Sequence, residues 1–175
     1  IAMFGKAMGN GYAVTAVVGT RAVMEAAQSS FISSTFWTER IGSVAALKCL
    51  EVMGNTKSWN IITHKGNKIR KMWQDLAEKN GLNIIHWGLP SLTGFTFKSP
   101  KALEYKTLIT QEMLKKGFLV SNCVYVSVAH SEQVINSYFE NLSSVFELIK
   151  ECDNGRDVSS VLDGPICHSG FKRLN

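Results

Sequence analysis

A lysine inside a glycine-rich loop is the feature of this sequence best suited to chemistry. Lys6 lies in the segment GKAMGNG, residues 5–11, directly after the apolar run IAMF. A phosphate-binding loop of the Walker type needs its lysine after the glycines and a Ser or Thr next, whereas Ala7 follows Lys6 here. A dinucleotide fingerprint needs glycines in the order GxGxxG, which this segment does not supply. Both phosphate-loop interpretations therefore fail.

The third interpretation is a lysine whose amine forms a Schiff base with an aldehyde cofactor. A planar cofactor ring needs an uncrowded approach, which the small neighbours Gly5 and Ala7 allow. The amine must also spend time neutral, and a desolvated position at the end of a buried strand would favour that state. Pyridoxal phosphate is the obvious aldehyde, because it needs a lysine tether and acts as an electron sink. The residues alone leave a solvated lysine in an ordinary turn as the alternative.

The segment MFGKAMGNGYAVTAVVG, residues 3–19, resembles the cofactor-lysine segment of the class III, pyridoxal-phosphate-dependent aminotransferases. Within that family the chain most resembles the glutamate-1-semialdehyde aminomutases and their sugar-aminotransferase-like relatives. Residues 23–51 are similar to their next segment, and MLKKGFLV and VSVAHS resemble their C-terminal domain. The resemblance implies pyridoxal 5'-phosphate as cofactor, with Lys6 as both its Schiff-base lysine and the general base and acid of the reaction.

A cluster of hydroxyl residues supplies the second candidate group. In the family, a threonine at the place of Thr35 reaches across a dimer interface to the cofactor phosphate of the other subunit. Ser34 and Thr35 also precede a predicted long helix, where hydroxyls and free backbone N–H groups favour an anion. Plain helix capping is the alternative for Ser33, Ser34 and Thr35. We predict that Thr35 binds the cofactor phosphate and keep Ser34 as a further candidate.

The periodicity around these residues predicts an α/β chain. Apolar runs at 1–4 and 13–18 are typical of strands buried on two faces, in a parallel or mixed sheet under helices. Apolar stripes then predict two long helices, at 38–53 and 57–79, with Gly54-Asn55 ending the first. In the rest of the chain the pattern predicts the order strand, strand, helix, strand, helix, at NIIHWGL, LTGFTFK, 101–117, 118–128 and a helix capped by Ser131. The tail 163–175 has no periodicity and is predicted to be an extended arm.

By the resemblance, the fold is that of the fold-type I pyridoxal-phosphate-dependent transferases. Residues 1–54 are predicted to end the large cofactor-binding domain, and residues 55–175 to form the small α/β C-terminal domain. The chain opens without methionine, so we expect it to be the later part of a longer one. The family's ring-stacking aromatic, its acidic partner of the pyridine nitrogen and its first phosphate loop lie upstream of the lysine. As given, the chain is therefore expected to hold an incomplete site.

The predicted function is amino-group transfer between a small-molecule amino donor and a carbonyl acceptor, by a homodimer with its site at the subunit interface. The aminomutases tend to carry an acidic residue near the position of Asn122, and its absence favours intermolecular transfer. Glutamate-1-semialdehyde 2,1-aminomutase and a non-catalytic module of the same fold remain the alternatives.

Composition limits the other function classes. The net charge is +5, but basic residues are interspersed with acidic ones, so we expect no nucleic-acid surface. No apolar run has the length of a membrane span. The four cysteines form no CxxC pair, which predicts free thiols and a cytoplasmic protein. The adjacent Cys167 and His168 lack a second pair at ligand spacing, so no metal is expected. Among the other histidines, His130 is predicted to be structural, and His64 and His86 to be surface or hydrogen-bonded residues.

Overall fold

The computed structural model describes residues 1–170, so the end of the predicted arm, 171–175, lies outside the described part. The chain divides into two compact units, Ile1–Ser58 and Trp59–Asn175. The assignment of residues 1–54 to a large cofactor-binding domain stays a prediction. No helix within residues 1–170 is long and apolar enough to cross a membrane.

The first unit begins with a strand pair around the lysine loop, which we define as residues 5–15. Strands β1 (Ala2–Phe4) and β2 (Ala16–Val18) pair antiparallel, with Phe4 opposite Ala16. Antiparallel pairing suits a direct return of the chain, because a parallel pair needs a long crossover connection. The prediction of a parallel or mixed sheet is wrong for these two strands, which form an antiparallel pair. The predicted burial on both faces is wrong for this chain, because the pair is a two-stranded ribbon and all of β1 is exposed.

The helices of the first unit follow this ribbon. A short helix α1 (Arg21–Met24) leads into a 3-10 turn at Glu25–Ser29, and α2 spans Arg40–Thr56. The predicted end of α2 at Gly54-Asn55 is wrong, since both residues are helical. The helix ends instead at Lys57, which adopts the left-handed conformation at φ 48° and ψ 47°. A glycine within a last turn costs helix propensity but does not by itself stop a helix.

The second unit has the predicted order of elements. They are α3 (Ser58–Lys79, beginning at the boundary), β3 (Ile84–Leu89), β4 (Leu92–Phe97), α4 (Ala102–Lys115), β5 (Cys123–Tyr125) and α5 (Glu132–Asp153). The strands form an antiparallel sheet in the order β3-β4-β5. Ser131 accepts a hydrogen bond from the Val134 N–H, which confirms the predicted cap of α5. The strand predicted at 118–128 is shorter because β5 pairs only with the first half of β4.

The core of the second unit lies between this sheet and its helices. Phe95 and Phe97 point into it while Thr96 is exposed, which confirms the predicted alternation of β4. At its centre Trp73 is fully buried, with its ring centroid 4.9 Å from that of Phe95. The Trp73 Nε1–H donates a hydrogen bond to the Tyr138 hydroxyl at 3.0 Å. Burial raises the pKa of that hydroxyl, so it stays protonated.

The described part of the tail is fastened to α4. The Gln111 side chain donates to the Val161 carbonyl and accepts from the Asp163 N–H, and the Thr107 hydroxyl accepts from the Cys167 N–H. Thr107 and Gln111 are four residues apart and therefore lie on one face of the helix. Before this stretch the chain buries Val158 in the core. The predicted arm is thus held by side chains of α4 and packs against the second unit.

His86 differs most from its predicted environment. It stacks on Trp73 at a centroid distance of 6.3 Å, and both of its ring nitrogens are buried with no hydrogen-bond partner among residues 1–170. The prediction of a surface or hydrogen-bonded residue is therefore wrong. Burial, and after it the positive charge of Arg70, lower the pKa of His86. The alternation of β3 in the sequence could have indicated this burial, because His86 lies on the same face of the strand as the buried Ile84.

This environment predicts acid-sensitive stability. Because the folded state lowers the pKa of His86, the unfolded chain takes up a proton first as pH falls through about 6.5. Stability is then fully present above that pH and decreases below it, until the folded pKa is reached. We expect His86→Phe to lose less stability than the parent between about pH 7.5 and about pH 5, measured by urea unfolding. His64→Phe, at an exposed position, is the control; an unchanged pH dependence in His86→Phe would contradict the prediction.

Candidate active site

The backbone around Lys6 is unusual. Lys6 follows β1 and opens a 3-10 turn at Lys6–Met8, with a φ of 49° in the left-handed region. Only a few per cent of non-glycine residues adopt such a φ. The Lys6 carbonyl accepts hydrogen bonds from the N–H groups of Gly9 and Asn10, both at 3.1 Å. Strained residues of this kind persist where their surroundings hold them, and they are concentrated at functional sites.

Lys6 lines a pocket of about 360 Å³ formed by the two strands and the two ends of the loop. Its other lining residues are Met3, Phe4, Gly5, Thr15, Ala16 and Val17. A Cβ at Gly5 would lie 3.4 Å from the Thr15 methyl, an ordinary van der Waals contact, so the described structure does not itself require glycine at this position. Within residues 1–170 the Lys6 amine makes no hydrogen bond and no ion pair, and the residue is exposed. The amine is thus free to react, whereas the predicted desolvation is not provided by the described residues.

Helix α2 contacts both arms of the lysine loop. On one arm, the Cys49 thiol donates a hydrogen bond to the Ala7 carbonyl with an Sγ–O distance of 3.1 Å. On the other, a Cβ at Gly42 would lie 2.6 Å from the Ala13 carbonyl oxygen, a contact that no real Cβ makes. Ala46, between the two along the helix, is 8% exposed. Positions 42, 46 and 49 share one helix face, so a single stripe of small residues meets the loop.

Sequence reasoning predicted an apolar stripe on α2 but missed this stripe of small residues. The large apolar residues Ile41, Val44 and Leu47, which belong to the apolar stripe of α2, are 56%, 63% and 70% exposed in this chain. The loop backbone lies too close to the helix for large side chains to fit between them. The available signal was the spacing of Gly42, Ala46 and Cys49, small residues among large ones.

Ser34 and Thr35 lie farther from α2 than predicted. Thr35 begins a turn, and α2 starts only at Arg40, so neither hydroxyl caps that helix. The Ser34 hydroxyl instead accepts a hydrogen bond from the Phe36 N–H at 3.2 Å. Both residues are exposed, and within residues 1–170 no hydrogen bond links either of them to Lys6. The interpretation that relied on the N-terminus of α2 therefore loses its geometric basis, while the roles implied by the resemblance stay predictions.

His130 and Asn122, two further residues singled out in the sequence, each make a hydrogen bond within the second unit. The His130 Nδ1 accepts a hydrogen bond from the Ser127 N–H at 3.1 Å, in keeping with its predicted structural role. The Asn122 Nδ2 donates to the Phe95 carbonyl at 2.7 Å. A carboxylate at position 122 could not donate this bond, because an ionised carboxylate only accepts.

Similarity to known proteins covers most of the chain. The family model described as "Aminotransferase class-III" matches residues 1–149. A 3-aminobutyryl-CoA aminotransferase of Cloacimonas acidaminovorans is 31% identical over 153 residues, which are 86% of this chain and 36% of that protein. An aminopentol aminotransferase of Sphingopyxis macrogoltabida is 21% identical over 95% of this chain and 39% of that protein. A glutamate-1-semialdehyde 2,1-aminomutase of Hyperthermus butylicus is 23% identical over 86% of this chain and 39% of that protein.

Among solved structures, the chain is similar to the FumI protein of Sphingopyxis sp. MTA144, described as its "PLP internal aldimine form". The TM-score is 0.79 at 19% identity, over 91% of this chain and 39% of that one. At this identity the likeness shows the fold, and it confirms the predicted fold-type I architecture. The chain thus spans less than two fifths of the length of these relatives.

Proposed function

Because the chain belongs to the class III aminotransferase family, we propose that the complete protein transfers amino groups with pyridoxal 5'-phosphate attached to Lys6. The observation that carries the proposal is the Lys6 amine, without a partner among residues 1–170, on an exposed residue that lines a pocket bordered by both strands. Family membership confirms the resemblance drawn from the sequence.

The fit of the cofactor rests on what the loop offers. When bound, pyridoxal phosphate supplies an aldehyde that condenses with an amine and a ring that withdraws electrons from the bond being broken. The Lys6 Nζ would hold it covalently, since this amine has no competing partner in the described residues. When this Nζ is not attached to the cofactor, it would accept a proton from the substrate carbon and later return that proton. The small residues Gly5 and Ala7 leave room for that exchange.

We propose further that the enzyme is a homodimer in which Thr35 binds the phosphate of the partner subunit's cofactor, with Ser34 beside it. This is supported by the exposure of both residues and by large apolar groups around them, with Phe31 95% and Trp37 65% exposed. Exposed apolar surface of this kind is typical of a protein interface.

The four free cysteines favour a cytoplasmic protein.

The proposed reaction moves an amino group from a small-molecule donor, which becomes a carbonyl compound, to a separate carbonyl acceptor, which becomes an amine. Both aminotransferases and aminomutases are among the relatives, so the family alone does not choose. Asn122 favours transfer between two molecules, because its amide is engaged in holding β4 and supplies no acid. Intramolecular transfer, as in an aminomutase, is the alternative.

Borohydride reduction of the complete, cofactor-loaded protein tests the assignment. We expect the reduced cofactor to be found on the peptide that contains Lys6. Lys48 is the internal control, because it is exposed in the same unit but hydrogen-bonded to Glu51. A label on Lys48 or any other lysine, or on none, rejects the role of Lys6.

A further inference from the structure

We propose that Cys49 is a positioning residue for Lys6, whose thiol fixes the lysine loop through its hydrogen bond to the Ala7 carbonyl. The inference rests on the proposed function of Lys6, and it adds a residue that is distant in sequence and takes no part in the chemistry. The Sγ–O distance is 3.1 Å, and Ala7 is the residue next to Lys6.

Among the residues that the structure describes, the other hydrogen bonds of the loop are local. The N–H groups of Met8, Gly9 and Asn10 bond to carbonyls of Gly5 and Lys6 within the same turn. These bonds give the turn its shape but do not attach it to the rest of the unit. The Cys49 thiol, from the middle of α2, does attach it.

The left-handed backbone of Lys6 makes such an attachment useful. A non-glycine residue at φ 49° relaxes to a commoner conformation unless its surroundings resist. Helix α2 resists at two points, with Cys49 against Ala7 and Gly42 against the Ala13 carbonyl. A rigid helix that touches the loop at Ala7 and Ala13 limits how far the backbone next to Lys6 can move. The backbone position from which the Lys6 side chain extends thus depends on α2.

A thiol is a weak donor, so its effect is expected to be modest and measurable. Loss of one hydrogen bond changes an equilibrium by about fivefold. Cys49→Ala removes the donor. Cys49→Ser restores a donor at nearly the same place. Cys123→Ala is the matched control, because Cys123 is also half-buried but lies in the second unit.

The test uses the complete protein with two readouts. In the cofactor-free form, hydrogen exchange of the peptide spanning residues 5–12 should be about fivefold faster in Cys49→Ala, while Cys49→Ser and Cys123→Ala resemble the parent. In the form loaded with pyridoxal phosphate, a pH titration of the cofactor absorbance should show a shifted apparent pKa in Cys49→Ala and recovery in Cys49→Ser. A purely structural thiol would not move this titration.

The outcomes separate the two proposals. Cys49→Ala behaving like Cys123→Ala in both readouts overturns the positioning role, and so does faster exchange with an unmoved titration. If borohydride leaves Lys6 unlabelled in the parent, the proposed function fails, whereas exchange in the cofactor-free form still decides whether Cys49 fixes the loop. Should Cys49→Ala not fold, Cys49→Val fills the space without a donor and is judged by the same two criteria.

Discussion

Replacing Lys6 with alanine should reduce amino transfer by the complete protein by at least about 10²–10⁴-fold, because the change removes both the covalent attachment and the amine that moves the proton. The measurement is turnover with an amino donor at saturating pyridoxal phosphate. Lys48→Ala is the control, since in the described part of the chain the exposed Lys48 ammonium bonds only to Glu51, three residues further along α2. Near-normal turnover in Lys6→Ala would remove the basis of the proposed function.

Co-expression with Thr35→Ala extends this test to the dimer. If Thr35 serves the partner's site, a hybrid of one Lys6→Ala chain and one Thr35→Ala chain holds one intact site. The intact site combines Lys6 from the second chain with Thr35 from the first. Activity of the hybrid should then exceed the mean of the two homodimers. If Thr35 serves its own chain, or no site at all, the hybrid gains nothing.

Replacing Trp73 with alanine should destabilise the second unit by about 3–5 kcal/mol, the usual cost of truncating a buried aromatic residue. Trp73 is fully buried and contacts Phe95, and its removal also leaves the Tyr138 hydroxyl without its donor. The free energy of unfolding in urea, followed by far-UV circular dichroism, measures the loss. Trp59→Ala is the control, because Trp59 lies on the same helix and is 48% exposed.

Trp73→Phe separates the contribution of the Trp73 hydrogen bond from that of its buried ring. The substitution keeps an aromatic ring and removes the N–H, so the unpaired Tyr138 hydroxyl should cost about 1–3 kcal/mol. A loss in Trp73→Ala no larger than in Trp59→Ala would show that Trp73 is not central to the core.

Local patterns predicted the second unit well. The alternation of Phe95, Thr96 and Phe97 and the cap at Ser131 depend on neighbours within a few residues, and both were confirmed. The end of α2 was missed because Lys57 took the left-handed position that Gly54 was expected to supply. A single propensity difference near a helix end is small beside the contacts of the whole helix.

The candidate site was harder to predict. A sequence motif identified Lys6 as the candidate residue. The face of α2 that meets the lysine loop could not be identified in this way. A hydrophobic stripe shows that a helix is amphipathic but does not show which part of the chain packs against it. Close approach of backbone selects small residues, so Gly42 and Cys49 carried information that a scale of hydrophobicity discards. The burial of His86 against Trp73 likewise could not be predicted without knowing which helix covers β3.

The fastening of the tail to α4 sets a limit on shortening the protein. Trimming at Asp153, where the last long helix ends, looks harmless from secondary structure alone. Such a cut would delete Val158 from the interior and leave the Gln111 amide without its two backbone partners. Any minimal version of this unit therefore has to keep the chain at least as far as Cys167, whose N–H completes the attachment.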